Sequence, residues 1–187
     1  MRRDRCALTL GLLFSLALVT LGCNNDSGTS GTPCLEFSPA TIPDPLSVTA
    51  TEGQGSDCDF AVVELVVTDV SNLYAVSLDV KFDATRVNLS SVSTTNSVLT
   101  SDGAPLLRQV TPIASGQVHV AITRSQVTTG VNVVGGGSLA TITFVRTGNS
   151  GMSTLTFTDA DLLDPGTPPL PLPGISFHGG SFNIFEN

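Results

Sequence analysis

The chain has 187 residues, of which 41% are hydrophobic and only 13% are charged, and it has no Trp and one Tyr. The many β-branched and turn-forming residues (23 Thr, 20 Val, 20 Ser and 18 Gly) and the single Lys exclude a helical bundle and favour one all-β domain. The formal net charge of −8 argues against a nucleic-acid partner, because neutralising phosphates requires a basic surface.

Residues 1–22 have the features of an export signal. Arg2, Arg3 and Arg5 precede an apolar run over residues 7–21, which is short for a membrane-spanning helix and suits a secretory signal. The run ends in Gly22-Cys23 ahead of polar residues, and this ending resembles a bacterial lipoprotein signal, in which the Cys becomes the lipidated first residue. The resemblance implies a lipid anchor at Cys23 in the cell envelope, at the outer membrane or the cell surface. Plain secretion is the alternative.

Residues 23–33 are rich in Asn, Gly and Ser, which is the composition of a flexible tether. Removal of residues 1–22 takes away three of the eight basic residues and one of the sixteen acidic residues, so the remaining chain carries a net charge of −10. Residues 34–187 are then expected to form the single domain.

Two cysteines remain in this domain, Cys34 and Cys58, because Cys6 leaves with the signal and Cys23 carries the lipid. In an oxidising compartment we expect them to form a disulfide that joins the entry segment to the first long strand. A metal site is the alternative, and it is disfavoured because the thiols are 24 positions apart, without CxxC spacing or a nearby His.

Short runs of alternating apolar and polar residues, separated by turn residues, predict a β-sandwich. The clearest run, residues 74–82, predicts a strand with one core face and one solvent-exposed face. About nine strands are expected: 46–51, 60–69, 74–82, 87–92, 106–113, 117–124, 139–146, 154–158 and 181–185. The core of the central strands is predicted to contain Tyr74, Val76, Leu78, Val80, Phe82, Val118, Val120 and Ile122. No stretch has a helical period, so any helix is one turn at most.

Three stretches together carry a family resemblance. Residues 72–92 (NLYAVSLDVKFDATRVNLSSV) contain an alternating strand that ends in the aromatic-Asp pair Phe82-Asp83. Residues 135–148 (GGGSLATITFVRTG) form a late strand after a Gly-containing turn, and residues 153–185 contain an apolar strand, an acidic connector and a closing strand that begins with Gly. In this order they resemble the cohesin family, β-sandwich modules that dock dockerins in cellulosomes and related surface assemblies.

The resemblance implies an all-β, two-sheet β-sandwich of about nine strands with jelly-roll topology, a fold similar to carbohydrate-binding domains. It also implies a non-catalytic module that docks a dockerin-like protein, in an extracellular assembly that degrades polysaccharide. In dockerin-binding cohesins, part of the recognition face lies on the strand that ends in the aromatic-Asp pair, with Asn and Asp exposed. Ala75 and Ser77 stand at those places in this chain, which is a departure from the family pattern. The candidates for the binding face are Ala75, Ser77, Asp79, Lys81 and His119.

Motifs for catalysis are absent from the sequence, which has no GxSxG and no HExxH, and His119 and His178 are interpreted as solvated surface residues. Asp159, Asp161 and Asp164 form an acidic cluster for which Ca²⁺ is a hypothesis, because calcium prefers carboxylate oxygens. Solvated carboxylates on a connector are the alternative, since the Gly and the terminal Glu of an EF-hand loop are missing. No other cofactor is expected.

Two further functions stay open. A carbohydrate-binding module usually stacks sugar rings on exposed Trp or Tyr, and this chain has no Trp and one Tyr, which is predicted for the core. A structural envelope lipoprotein, packed against a larger assembly, is the other alternative.

Overall fold

The computed structural model describes residues 33–148 and 150–186. The predicted signal, Cys23 and the tether up to residue 32 therefore lie outside the described residues. Within them, no helix is long and apolar enough to cross a membrane. The described chain forms eleven strands and one 3₁₀ turn, η1 (Val98–Thr100). The strands are β1 (Pro33–Pro39), β2 (Ser47–Glu52), β3 (Phe60–Thr68), β4 (Ala75–Lys81), β5 (Val87–Ser93), β6 (Leu106–Ala114), β7 (Gln117–Arg124), β8 (Gly136–Arg146), β9 (Gly151–Leu163), β10 (Ser176–His178) and β11 (Gly180–Glu186).

Two sheets pack face to face, which confirms the predicted all-β sandwich. The six-stranded sheet has the order β1-β11-β9-β4-β7-β6, and the five-stranded sheet has the order β10-β2-β3-β8-β5. Neighbouring strands are antiparallel, except that β10 runs parallel to β2. Alternating side chains of both sheets meet between them and form the core.

Two strands were not predicted from the sequence, β1 and β10. β1 has Pro at both ends, yet it pairs with β11 along its whole length, from Pro33 opposite Glu186 to Pro39 opposite Gly180. A proline that lacks its N–H is tolerated there because β1 is an edge strand. β10 has only three residues, too few for a periodic pattern.

The acidic connector predicted after residue 158 is wrong, because β9 continues through it to Leu163. The register against β4 shifts between Ser77 and Asp79, so β9 has a bulge there. Asp159 lies in this bulge with a positive φ of 44°. Beyond the bulge Leu162 is fully buried, so the apolar residues that follow the carboxylates keep the strand in the sheet.

The core prediction for β4 and β7 is confirmed for seven of eight residues, and Tyr74 is the exception. Tyr74 precedes β4 and is half-buried, and its hydroxyl donates a hydrogen bond of 3.3 Å to the Val127 carbonyl. A buried Tyr hydroxyl needs such a partner, and the edge of the core supplies one. The buried residues are Val76, Leu78, Val80, Phe82, Val118, Val120 and Ile122.

Aromatic rings fill the middle of the sandwich. Phe144 on β8 lies 5.3 Å from Phe82 and 4.7 Å from Phe182, measured between ring centroids, and Phe182 lies 5.1 Å from Phe37. These tilted and edge-on contacts join β1, β8, β11 and the residue that follows β4, so one ring cluster connects the two sheets.

One side of the sandwich is closed by the predicted disulfide. Cys34 on β1 and Cys58 ahead of β3 are bonded with an S–S distance of 2.09 Å, which excludes the metal alternative for these thiols. The Leu35 N–H also donates to the Cys58 carbonyl at 3.1 Å. The disulfide therefore joins the first strand of one sheet to the entry of a central strand in the other.

A buried arginine closes part of the opposite side. Arg124, at the end of β7, exposes 1% of its surface. Its guanidinium donates to the Leu99 carbonyl at 2.8 Å and lies 2.5 Å from the Asp102 carboxylate. Arg124 thereby ties η1 to the six-stranded sheet, and its hydrogen bond holds the pKa of Asp102 below the ordinary value.

Candidate protein-binding face

All five candidates for the binding face lie on the outer side of β4 and β7, the surface that we call the β4–β7 face. Alternation points Val76, Leu78 and Val80 into the core, so the residues between them point outward. Antiparallel pairing then places His119 directly opposite Asp79. The face consists of Ala75, Ser77, Asp79 and Lys81 on β4, and Gln117, His119, Ala121 and Thr123 on β7.

The neighbouring strands extend this surface on both sides. On β9, Thr158 lies beside Asp79 and Asp161 lies beside Ser77. On β6, Thr111 lies beside His119, and Leu107 lies beside Thr123. Within the described chain, no strand or helix packs over this side of the sheet. The result is an open, mostly polar surface with small side chains at its centre.

The predicted solvent exposure is wrong for two of the five candidates, because Ala75 and Asp79 each expose only 6% of their surface. Asp79 is in the middle strand, so side chains of β7 and β9 cover it from both sides. Its Oδ1 lies 2.7 Å from Nδ1 of His119, and its Oδ2 accepts a hydrogen bond of 2.9 Å from Gln117 Nε2. Burial of this carboxylate is therefore compensated by two donors.

These contacts keep Asp79 ionised. The hydrogen bond from His119 holds the pKa of Asp79 below its ordinary value of 3.8, and Gln117 and the nearby positive charge of Lys81 act in the same direction, against the effect of burial. An ionised carboxylate only accepts hydrogen bonds, so His119 carries the proton on Nδ1. The Nε2 atom of His119 is then the ring nitrogen left to face a partner.

Both histidine side chains are about one-third exposed, and each also lies near a carboxylate. His119 is one-third exposed and hydrogen-bonded to Asp79. His178, on β10 of the other sheet, has Nε2 at 3.4 Å from Asp44 Oδ1. The two histidines belong to different sheets and form no common site.

The structure does not bring the three aspartates of the calcium hypothesis into one site. Asp159 and Asp161 are exposed on β9. Oδ1 of Asp164 instead accepts hydrogen bonds from the backbone N–H groups of Gly166 and Leu170, each at 2.9 Å, which lowers the pKa of Asp164 and holds the proline-rich loop. Among the described residues, no three His, Cys, Asp or Glu side chains are arranged to hold a metal ion.

Gln117 is the member of this face that contacts Asp79 and was not among the five candidates from the sequence. It is two residues ahead of His119 on the same side of β7, so alternation alone would have placed it there. Its contact with Asp79 depends on the register between β4 and β7, which a single sequence does not reveal.

Comparisons with known proteins identify the family. A protein-family model for the cohesin domain matches residues 47–167. The fold is similar to the solution structure of CaCohA2 from Clostridium acetobutylicum, with a TM-score of 0.52 and 15% identity, covering 79% of this chain and 88% of that chain. A comparison with curated protein sequences found no match.

Two structures from Acetivibrio cellulolyticus are also similar to this chain. The second type II cohesin module of the ScaA scaffoldin has a TM-score of 0.50 and 13% identity, covering 80% of this chain and 88% of that chain. A type II cohesin-X-dockerin complex has a TM-score of 0.50 and 12% identity, covering 78% of this chain and 94% of that chain. At these identities the structures show the fold, whereas the family model covers most of the sandwich. The chain belongs to the cohesin family.

Proposed function

We propose that this protein is a non-catalytic docking module that binds a dockerin-like protein through its β4–β7 face. Membership of the cohesin family supports a protein partner, and one of the similar structures is a cohesin-dockerin complex. The observation that carries the proposal is that all five candidate residues share one face of the sheet, over which no strand or helix of the described chain packs. Ser77, Lys81 and His119 are partly exposed on this face.

The chemistry of this face suits contact rather than catalysis. The Asp79–His119 pair lies on an open sheet surface, without walls that exclude water from a reacting group. Ala75 and Ser77 offer little hydrogen bonding where the family pattern has exposed Asn and Asp. We therefore infer that the partner recognises the polar groups of His119 and Gln117, which the buried Asp79 holds in place, more than those two positions.

The proposal includes export and anchoring. The Cys34–Cys58 disulfide supports an oxidising compartment, and the lipoprotein-like ending at Cys23 supports a lipid anchor in the outer membrane or at the cell surface. In this setting the module would hold its partner at the envelope, as part of an assembly that degrades extracellular polysaccharide.

A direct role in carbohydrate binding gains no support from the surface. Among the exposed large hydrophobic residues of the described chain, Phe185 is the one aromatic, at 36% exposure, so there is no platform on which successive sugar rings could stack. We propose docking in preference to sugar binding for this reason.

Calorimetric titration tests the docking proposal. The soluble chain from residue 24 onward, which keeps all described residues, is titrated with a panel of type I and type II dockerin modules. We expect binding to at least one dockerin, and we expect Ser77→Arg at the centre of the face to weaken it by about tenfold or more, equivalent to about 1.4 kcal/mol.

The matched control is Ser91→Arg, an exposed serine of β5 on the outer side of the other sheet. It should leave the affinity unchanged. Failure of every dockerin to bind, or equal losses in the two variants, would favour the structural envelope lipoprotein instead.

A further inference from the structure

β6 is the outermost strand of the six-stranded sheet, and it is unusually exposed. Seven of its nine residues are exposed, including two large aliphatic side chains, Leu107 at 62% and Ile113 at 52%. Long exposed edges of this kind are templates for pairing with another strand. β6 also has no acidic residue, although the chain as a whole carries a net charge of −8.

The unpaired backbone groups of this edge can be assigned from the register. The Ser125 N–H donates to the Pro105 carbonyl, and pairing from Leu106 opposite Arg124 to Pro112 opposite Val118 is continuous. Alternation in an antiparallel pair therefore turns the N–H and C=O groups of Leu106, Arg108 and Val110 away from β7, together with the Pro112 carbonyl. Pro112 fits this assignment, because its missing N–H lies on the free side.

The sequence of β6 is complementary to itself around Val110. Leu107 and Ile113 are each three residues from Val110. The register with β7 shifts between Pro112 and Ala114, so Ile113 has no partner on β7. An antiparallel pair of β6 strands centred on Val110 brings Leu107 of one copy beside Ile113 of the other, twice. Gln109 then lies opposite Thr111, and these two types already form a hydrogen bond of 3.2 Å within one chain. Val110 pairs with itself across the two-fold axis.

The side of β6 that faces the five-stranded sheet is complementary too. Beside its second half, a groove of about 480 Å³ opens between β5 and β6, lined by the apolar residues Leu89, Val110 and Pro112 together with polar residues such as Asn88 and Ser115. Beside the first half of β6, Arg124 binds the carbonyl of Leu99 and holds that segment against the sheet, so the sandwich is closed there. Antiparallel pairing places the closed half of one copy beside the open half of the other.

We propose that two copies of this protein dimerise by antiparallel pairing of their β6 strands around Val110. The dimer joins two six-stranded sheets into one continuous sheet. Both β4–β7 faces then lie on the same side of it, because the two-fold axis is perpendicular to the sheet. This pairing covers the two exposed aliphatic residues of each β6.

Charged residues and Pro usually protect an edge strand from pairing with another strand, but Arg108 and Pro112 do not oppose the pairing of β6. The Arg108 guanidinium donates to the Val92 carbonyl of its own chain, so its charge is directed to β5 rather than across the edge. Pro112 removes one donor from each copy, and the Val110 pair still exchanges two hydrogen bonds, with one more from each Arg108 N–H to the Pro112 carbonyl opposite.

Analytical ultracentrifugation of the soluble chain from residue 24 onward tests the register. We expect a concentration-dependent dimer for the unaltered protein. Leu107→Lys/Ile113→Lys places like charges opposite each other at both contacts and should weaken the dimer by about tenfold or more. Leu107→Lys/Ile113→Glu places opposite charges there and should restore most of the association.

The two double variants differ only in one exposed side chain, so loss of folding does not explain a difference between them. Val134→Lys, at an aliphatic side chain that is 89% exposed elsewhere on the surface, is the matched control and should leave the dimer intact. A monomeric unaltered protein, or equal dissociation of both double variants, overturns the proposal. The proposal is also overturned if the unaltered protein is monomeric and both double variants bind dockerin more weakly than it does. Leu107 and Ile113 would then contact the docked partner.

Discussion

The side chains of Asp79 and His119 face each other across β4 and β7, with 2.7 Å between Oδ1 and Nδ1. Asp79 is buried and His119 is one-third exposed, so the pair reaches from the buried part of the sheet to solvent. Gln117 completes the arrangement from the same strand as His119. The orientation of His119, and hence the groups that it offers to a partner, depends on the ionised Asp79 carboxylate.

Replacement of Asp79 by Asn should destabilise the protein in a pH-dependent way. The His119 hydrogen bond lowers the pKa of Asp79 below 3.8, so the carboxylate contributes stability above that pH and loses it as the pH falls through the lowered pKa. We expect Asp79→Asn to melt at a lower temperature at neutral pH, with the difference from the unaltered protein shrinking in acid below pH 3.8. Thermal melts from neutral pH down to below pH 3.8 measure whether the difference in melting temperature shrinks in acid.

Asp161→Asn is the matched control for that series, because Asp161 is an exposed carboxylate on the adjoining strand. Its melting temperature should change less at every pH. A pH-independent difference for Asp79→Asn would contradict the role of its charge.

Arg124→Met tests the buried closure of the sandwich. The variant keeps the bulk of the side chain but leaves the Leu99 carbonyl without its donor, and we expect unfolding to become easier by about 1–3 kcal/mol. Urea unfolding measures this. Arg146→Met should stay within about 1 kcal/mol, because Arg146 lies 3.7 Å from an Asp59 that is 80% exposed, and exposed ion pairs contribute little.

Removal of the disulfide should lower stability without changing the fold. Cys34 and Cys58 close a loop with a sequence separation of 24, for which loss of chain entropy in the unfolded state predicts about 3–4 kcal/mol. The Cys34→Ala/Cys58→Ala variant and the reduced parent should show the same decrease in unfolding free energy. A reducing agent that destabilises the double variant as well would point to a different cause.

Lipid anchoring predicts the fate of a Cys23→Ser variant. The unaltered protein should fractionate with membranes when expressed in a bacterium that processes lipoproteins, and the variant should lose both the acyl mass and the membrane association. Mass spectrometry of the mature N-terminus and cell fractionation measure the two effects. A membrane-bound Cys23→Ser variant would contradict the anchor.

The predictable part of this fold is the part with strict alternation. Large apolar residues occupy every second position of β4 and β7, so Val76, Val80 and Val120 could be assigned to the core directly from the sequence. The bulge in β9 interrupts its alternation at Asp159, and for this reason the sequence predicts a connector where the second half of the strand lies. β1 could not be predicted because its stability comes from the distant strand β11 and from the disulfide.

The candidate site was predictable in its location but not in its chemistry. Alternation and the Phe82-Asp83 pair place Ser77, Asp79 and Lys81 on one face. Burial of Asp79 depends on being in the middle of three paired strands, and its two hydrogen bonds depend on the register with β7. Both are properties of long-range pairing, which local sequence patterns do not contain.

The position of the disulfide has a mechanical consequence. Cys34 follows immediately after Pro33, the first described residue, so tension on the preceding chain reaches the sulfur bridge almost at once. The load then divides between β1 and the loop ahead of β3, and hence between both sheets. Hydrogen bonds between β1 and β11 would otherwise be peeled open one after another from the Pro33 end. A pull on the amino-terminal side of the module would therefore be resisted by both sheets together.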